Sequence, residues 1–168
     1  MHTTKQRGFT LIELVVFIII LGILAVVAAL KFINLKSDAL ITSLKGFQGA
    51  LKSANTLVYS KAVLSGQEKL DPGSVTLNGV NISTTVGYIT PLADNIAKAL
   101  DGSFEVVVDA SKTDITADWA IFYNAGTNPS VSIYPKGFTS FANCNLRYLA
   151  GSSVSADPTF YALTTTGC

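Results

Sequence analysis

Histidine is almost missing from this 168-residue chain, its one imidazole being His2 at the N-terminus. A folded body without histidine has no Ser–His–Asp or Cys–His relay, because both use an imidazole to carry the proton. Cysteine is scarce too. Cys144 and Cys168 are too few for a structural zinc site by themselves, and an even number in an apparently exported chain favours a disulfide. No P-loop, dinucleotide fingerprint, metal-ligand cluster or nucleophile elbow occurs, so no enzymatic activity, cofactor or metal is expected. The scattered Asp109, Asp114 and Asp118 match no calcium loop and read as solvated turn residues. The basic side chains are not interleaved with exposed aromatics, and no nucleic-acid partner is inferred. Charged residues make up only 14% of the chain, so their placement matters more than their sum of +1. Residues 1–66 hold seven Lys or Arg against two acids, a net +5, and residues 67–168 hold five against nine, a net −4. A basic segment joined to a mildly acidic one suits subunits that meet each other or a bilayer surface; solvated faces explain it equally well.

What the chain has in excess is one apolar run. Residues 1–7 are polar and basic, with Lys5 and Arg7, and residues 9–30 then read FTLIELVVFIIILGILAVVAAL, with Glu13 as the only charge. As a helix these residues measure about 33 Å, enough to cross a hydrocarbon core of about 30 Å. Three uses of such a segment compete: a secretory signal cut after Ala29, an uncleaved anchor, and an anchor with a short leader removed before it. Glu13 speaks against the first, because a carboxylate inside an apolar span is costly unless it has a partner.

The residues RGFTLIELVV, 7–16, resemble the class III signal of type IV prepilins. That resemblance implies cleavage between Gly8 and Phe9 by a prepilin peptidase on the cytoplasmic side, and N-methylation of the new Phe9 amine. It also implies an assembly role for Phe9 and Glu13, with the Glu13 carboxylate pairing with the Phe9 amine of a neighbouring subunit in an apolar filament core. The stretch AVVAALKFINLKSDA, 25–39, is similar to major pilins of the mannose-sensitive haemagglutinin (MSHA) type, with two departures. Leu30 stands where that family commonly has Pro, which restores a backbone donor and predicts a straighter helix, and Phe17 stands in place of a Val. Gly22 is the weak point expected within this helix.

After Lys31 the pattern turns amphipathic. Ile33, Leu40, Leu44, Phe47, Leu51, Ala54 and Val58 recur at steps of three, four or seven, while Lys36, Lys45, Lys52 and Lys61 fall off that stripe. This predicts a helix burying one side against a sheet. No strong stop lies before Gly66 and Asp71-Pro72-Gly73, so both halves are expected to form one helix. Asn78-Gly79 between two β-rich triplets predicts a tight hairpin. A short helix is expected over 91–100, and strands over 104–108, 119–123, 131–134, 146–149 and 159–163. The fold class is therefore α+β: a long N-terminal α-helix, half transmembrane and half amphipathic, packed on an antiparallel β-sheet, as in the type IV pilin lollipop. The expected divisions are 1–8 leader peptide, 9–30 membrane and filament-core helix, 31–66 amphipathic helix, and 67–168 β-sheet head. A Cys144–Cys168 bond closes a terminal loop worth roughly 3 to 3.5 kcal/mol in the chain-entropy model. It resembles the C-terminal disulfide region of pilins, and exposed residues between Ser152 and Thr159 are candidates for a surface-contact site.

The function implied by the resemblance is that of a structural subunit of an MSHA-like type IV pilus. It is held in the bacterial inner membrane with its N-terminus cytoplasmic, then polymerised into an extracellular filament for cell adhesion, surface attachment and biofilm growth. The implied partners are further copies of the chain in a helical homopolymer, the prepilin peptidase, the inner-membrane assembly machinery, the inner membrane itself, and a host or abiotic surface, including glycans. Two alternatives stay open: a pseudopilin of a type II secretion system, which shares the N-terminal signal, and a conventionally secreted binding protein.

Overall fold

The computed structural model describes residues 8–109, 112, 114–138, 142–151 and 159–168. It contains one long helix, α1 (Leu11–Leu64), a seven-residue helix, α2 (Ala93–Ala99), and two β-sheets. This is the α+β class expected. Contacts divide the chain into two compact units, residues 1–38 and 39–168.

In the first unit every described residue through Lys36 is exposed, including Phe17, Ile23 and Leu30. Helix α1 runs through Gly22 and Leu30 without a break, although its run of Ile and Val has only middling helix propensity. Such a sequence suits hydrocarbon, where a helix satisfies its own backbone polar groups and the apolar side chains need no protein cover. One 18-residue window of α1 reaches a mean hydropathy of 3.2, so α1 is long and apolar enough to cross a membrane.

In the second unit α1 changes character. Leu40, Leu44, Phe47, Leu51, Ala54, Asn55, Val58 and Ala62 are buried, while Lys45, Lys52 and Lys61 are exposed. The stripe read from the sequence is present with one correction: Ile33 lies in the first unit and is 64% exposed. Helix α1 stops at a cap built on Gly66, whose φ of 65° is in the left-handed region where a glycine carries no Cβ penalty. The Gly66 amide donates to Val63 O at 3.2 Å and the Gln67 amide to Ala62 O at 2.8 Å, the two bonds of a Schellman motif.

The smaller sheet has the order β1 (Gly73–Leu77), β2 (Val80–Thr85), β3 (Tyr88–Ile89), all antiparallel. Asn78 and Gly79, at φ 49° and 80°, make the tight turn between Leu77 and Val80. The larger sheet has the order β4 (Phe104–Val107), β5 (Trp119–Asn124), β6 (Ser130–Pro135), β7 (Asn145–Ala150), β8 (Thr159–Thr164). Its pairs are antiparallel except β4 with β5, which run parallel. The expectation of one wholly antiparallel sheet is corrected on both counts. A parallel neighbour needs a crossover rather than a hairpin, and residues 108–118 supply it.

Packing joins α1 to both sheets. Leu44, Leu51 and Val58 share a core with Ile82 and Ile89 of the smaller sheet and Ile121, Ile133 and Leu146 of the larger one. Phe47 meets Trp119 at a ring distance of 4.6 Å and Phe104 edge-on at 6.1 Å. Within this core Asn55 Oδ1 accepts from the Ile89 amide at 2.9 Å, and its Nδ2 donates to the Tyr161 hydroxyl at 2.7 Å. The Tyr148 hydroxyl donates to Ile89 O at 2.6 Å and lies 3.3 Å from Asn55 Oδ1. Burial pushes the Tyr148 phenol far above its ordinary range, so it stays a neutral donor.

The β4–β5 crossover is tied by Glu105. Its carboxylate accepts from Lys112 Nζ, from the Thr116 amide at 2.8 Å and from the Thr116 hydroxyl at 2.9 Å. The Lys112 ammonium, then the two Thr116 donors, hold the Glu105 carboxyl well below the usual range, at about 2. A carboxylate with a depressed folded pKa adds stability that is complete above the unfolded value near 4.5 and is lost as pH falls through about 2. The body is therefore expected to lose stability between those values, and Glu105→Gln should flatten that part of the profile. Acid titration of Trp119 fluorescence tests this, and equal slopes in the two proteins would remove Glu105 from the acid response. Because the pair is at the surface, added salt should shrink the effect.

Candidate functional site

The candidate processing and assembly segment is the start of α1. Gly8, Phe9 and Thr10 precede the helix outside any regular element and are exposed, with Phe9 79% accessible. A Cβ built on Gly8 meets nothing within 4 Å, and Gly8 has no left-handed φ. The chain's own structure therefore does not demand glycine at position 8; a requirement there belongs to whatever reads the segment from outside.

Thr10 and Glu13 form a reciprocal cap. The Glu13 carboxylate accepts from the Thr10 amide at 2.8 Å and from the Thr10 hydroxyl at 2.6 Å, and the Glu13 amide donates to Thr10 Oγ1 at 3.4 Å. This is a capping box, which gives otherwise orphaned donors at a helix N-terminus a partner within the chain. The sequence reading assigned Glu13 a partner on another subunit and overlooked Thr10. The signal was available in the T-x-x-E spacing of residues 10–13, immediately before an apolar run. The geometry leaves one acidic group held on Thr10, the residue after an accessible Phe9, at the mouth of a helix whose residues through Leu30 carry no other charge. A cation delivered there finds an anion already held in place, and no charge competes for it along residues 14–30.

At the other end of the chain, Cys144 and Cys168 form a disulfide with their Cα atoms 4.8 Å apart. Cys144 immediately precedes β7 and is fully buried, and Cys168 follows β8. Asn145 pairs with Thr164, so the bond closes the open end of the β7–β8 hairpin, and the Gly167 amide reinforces it by donating to Asn143 O at 2.9 Å. Of the candidate contact residues between β7 and β8, 152–158 lie outside the described residues, as do residues 1–7 of the expected leader. Among the described residues no three His, Cys, Asp or Glu side chains group to hold a metal ion.

Compared with known proteins, the chain matches no curated protein and no solved structure. Residues 3–29 match one family pattern, described as the prokaryotic N-terminal methylation motif. That match takes in Gly8, Phe9, Thr10, Glu13 and nearly all of the apolar run, and it leaves the body untouched. The N-terminal segment of this chain thus carries a prokaryotic N-terminal methylation motif, the signal shared by type IV pilins and pseudopilins.

Proposed function

We propose that this chain is a structural, non-catalytic subunit of an extracellular type IV pilus, of the kind found in MSHA pili, serving surface attachment. The observation that carries the reading is Glu13 held on Thr10, the residue after Phe9, at the start of a helix with a membrane-length apolar run, inside a methylation motif. Hydrolysis of the Gly8–Phe9 bond by a prepilin peptidase creates an amine four residues before Glu13, and methylation keeps that amine basic. Before assembly the apolar part of α1 is solvated by inner-membrane lipid. In the filament, neighbouring copies replace the lipid, and the Phe9 amine of one subunit pairs with Glu13 of another. The inner-membrane assembly machinery moves the subunit between these states.

A type II secretion pseudopilin shares the N-terminal part of this account. The disulfide that closes the terminal hairpin supports the pilus, since it braces a small body for exposure outside the cell. The deciding experiment is electron microscopy of the cell surface combined with the intact mass and N-terminal sequence of sheared material. Long filaments are expected, made of a chain beginning at methylated Phe9 and two hydrogens lighter for the Cys144–Cys168 bond. A processed chain without surface filaments would instead fit a pseudopilin, and a chain beginning at Leu30 would remove the whole scheme in favour of a secreted protein.

A further inference from the structure

Asn78 and Gly79 form the tip of the β1–β2 hairpin, and both are exposed. The chain has nine asparagines, and Asn78 is the one followed by glycine. That pairing has a chemical meaning, because the backbone nitrogen of the next residue is the nucleophile closest to an asparagine carboxamide, and a side chain on that residue shields it. A Cβ built on Gly79 meets nothing within 4 Å, so neither the residue nor its surroundings cover the nitrogen. Among the described residues neither the Asn78 carboxamide nor the Gly79 N–H enters a hydrogen bond. The charge pattern around the tip is equally bare. Residues 72–93, which include the whole smaller sheet, contain no Asp, Glu, Lys or Arg.

We propose that Asn78 is a site of spontaneous deamidation, which places the first charge on the smaller sheet. The Gly79 nitrogen attacks Asn78 Cγ and forms the N–Cγ bond of a succinimide. The Cγ–Nδ2 bond breaks, and the proton from Gly79 leaves with Nδ2 as ammonia. Water then opens the ring. Hydrolysis at Cγ breaks the new bond and gives an aspartate, whereas hydrolysis at the backbone carbonyl breaks the peptide bond to Gly79 and gives an isoaspartate, its main chain routed through the side chain. Water is the only co-reactant and ammonia the only group lost. Aspartate before glycine suits a two-residue hairpin turn as asparagine does, so this product keeps the β1–β2 register and adds a negative charge at the tip. Isoaspartate inserts a methylene into the main chain of that turn and disturbs the Leu77–Val80 pair beside it. With either product residues 67–168 hold five Lys or Arg against ten acids, a net −5 in place of −4. The biological consequence rests on the pilus reading: the change repeats on every subunit with time, and ageing filaments carry more like charge and bundle less. The chemistry itself does not depend on that reading.

The test incubates the full-length processed chain in detergent micelles at neutral and mildly alkaline pH and follows every asparagine by peptide mass spectrometry. Asn78 is expected to gain about 1 Da, the change from amide to acid, and to become a substrate for labelling by an isoaspartyl methyltransferase. Conversion should speed up with pH, because the attacking nitrogen must lose its proton, while the other eight asparagines keep their amides. The folded turn restricts the approach of nitrogen to Cγ, so a chain unfolded in urea should convert faster. Asn78→Gly leaves a Gly-Gly turn that the hairpin accepts, and it should form no acidic species and keep the native thermal midpoint of Trp119. Asn78→Asp should match the aged chain in isoelectric focusing. An Asn78 amide that survives in the folded chain while the unfolded chain loses it overturns the proposal, since the turn then protects the site. Equal loss from the other asparagines, or an acidic species persisting in Asn78→Gly, overturns it as well. Filaments with a methylated Phe9 terminus and an intact Asn78 amide would sink the site and leave the pilus reading standing. Conversion in a chain that forms no filaments would do the reverse.

Discussion

Replacing Glu13 by Gln should abolish filaments while leaving the protein in the membrane, and the comparison with Thr10→Ala should show why. Glu13 has two roles that a single alanine substitution cannot separate. Within the chain its carboxylate closes the helix cap with Thr10. In the proposed filament it is the counter-charge of a neighbouring Phe9 amine. Gln keeps an acceptor oxygen for the Thr10 amide and hydroxyl and removes only the charge, so the helix start persists and the incoming amine enters an apolar core unpaired. An uncompensated buried charge is among the largest single defects a packed structure can carry. Sheared filament yield should therefore fall more than about a hundredfold. Thr10→Ala does the opposite: it loses the hydroxyl of the cap, frays the first turn, keeps the charge, and should reduce yield only about two- to tenfold. Carbonate extraction would show both variants still embedded in the membrane, because residues 14–30 are unchanged. Normal filaments from Glu13→Gln would sink the intersubunit pair. A collapse in Thr10→Ala as deep as that in Glu13→Gln would show that the cap, not the charge, is what assembly requires.

How much of this was legible in the sequence depends on how local the signal was. The apolar run, the stop at Gly66, the Asn78-Gly79 turn and the five later strands follow from patterns that a few adjacent residues carry. Strand β3 was not read, and its turn explains why. Val86 and Gly87 hold φ of 51° and 81°, the two left-handed positions of a tight hairpin, but the first is a β-branched residue that this conformation disfavours. The strain is met by tertiary context: Val86 is buried and its amide donates to Leu70 O at 2.9 Å. A Cβ on Gly87 would lie 3.0 Å from Tyr59 and 3.1 Å from the Glu68 backbone, so that crowding also comes from elsewhere in the chain. The parallel β4–β5 pair was out of reach for a similar reason. Short strands rich in Val and Ile look alike whichever way their neighbours run, and only the path of residues 108–118 decides the direction. The candidate site divides the same way. Gly8, Phe9 and Glu13 stand in one short motif, whereas the amide of Asn55 finds its partners on Ile89 and Tyr161, the second 106 positions away, and has no signature in the linear chain.

Asn55→Ala should be the most damaging single substitution in the body, although Asn55 looks like an interruption of an apolar stripe. It is 3% exposed and is the only polar residue among those α1 buries. Its amide serves both sheets at once, accepting from the Ile89 amide of the smaller sheet and donating to Tyr161 of the larger one. Alanine leaves the buried Ile89 amide without an acceptor in a space too apolar to return it to water, and removes one hydrogen bond from the half-buried Tyr161 hydroxyl. A stranded buried amide costs about 1 to 3 kcal/mol and the lost bond to Tyr161 about 1 more, so a loss of about 2 to 4 kcal/mol is expected. For a body of this size that corresponds to a midpoint lower by roughly 8 to 15 °C. Asn55→Leu should do no better, because matching the apolar neighbours does not repair the donor on Ile89. Tyr161→Phe removes one hydroxyl and strands only the Asn55 Nδ2, so about 1 kcal/mol is expected from it. Trp119 is the chain's one tryptophan and packs on Phe47 in this core, so its fluorescence during heating reports the body without interference from the membrane half of α1. A shift below about 3 °C in Asn55→Ala would mean that water enters to replace the amide. The joint between helix and sheets would then rest on the apolar stripe, from Leu40 and Phe47 to Val58 and Ala62. The expected large shift would instead make Asn55 the residue that fixes which face of α1 meets the two sheets, since an apolar stripe by itself tolerates rotation and a buried amide with two partners does not.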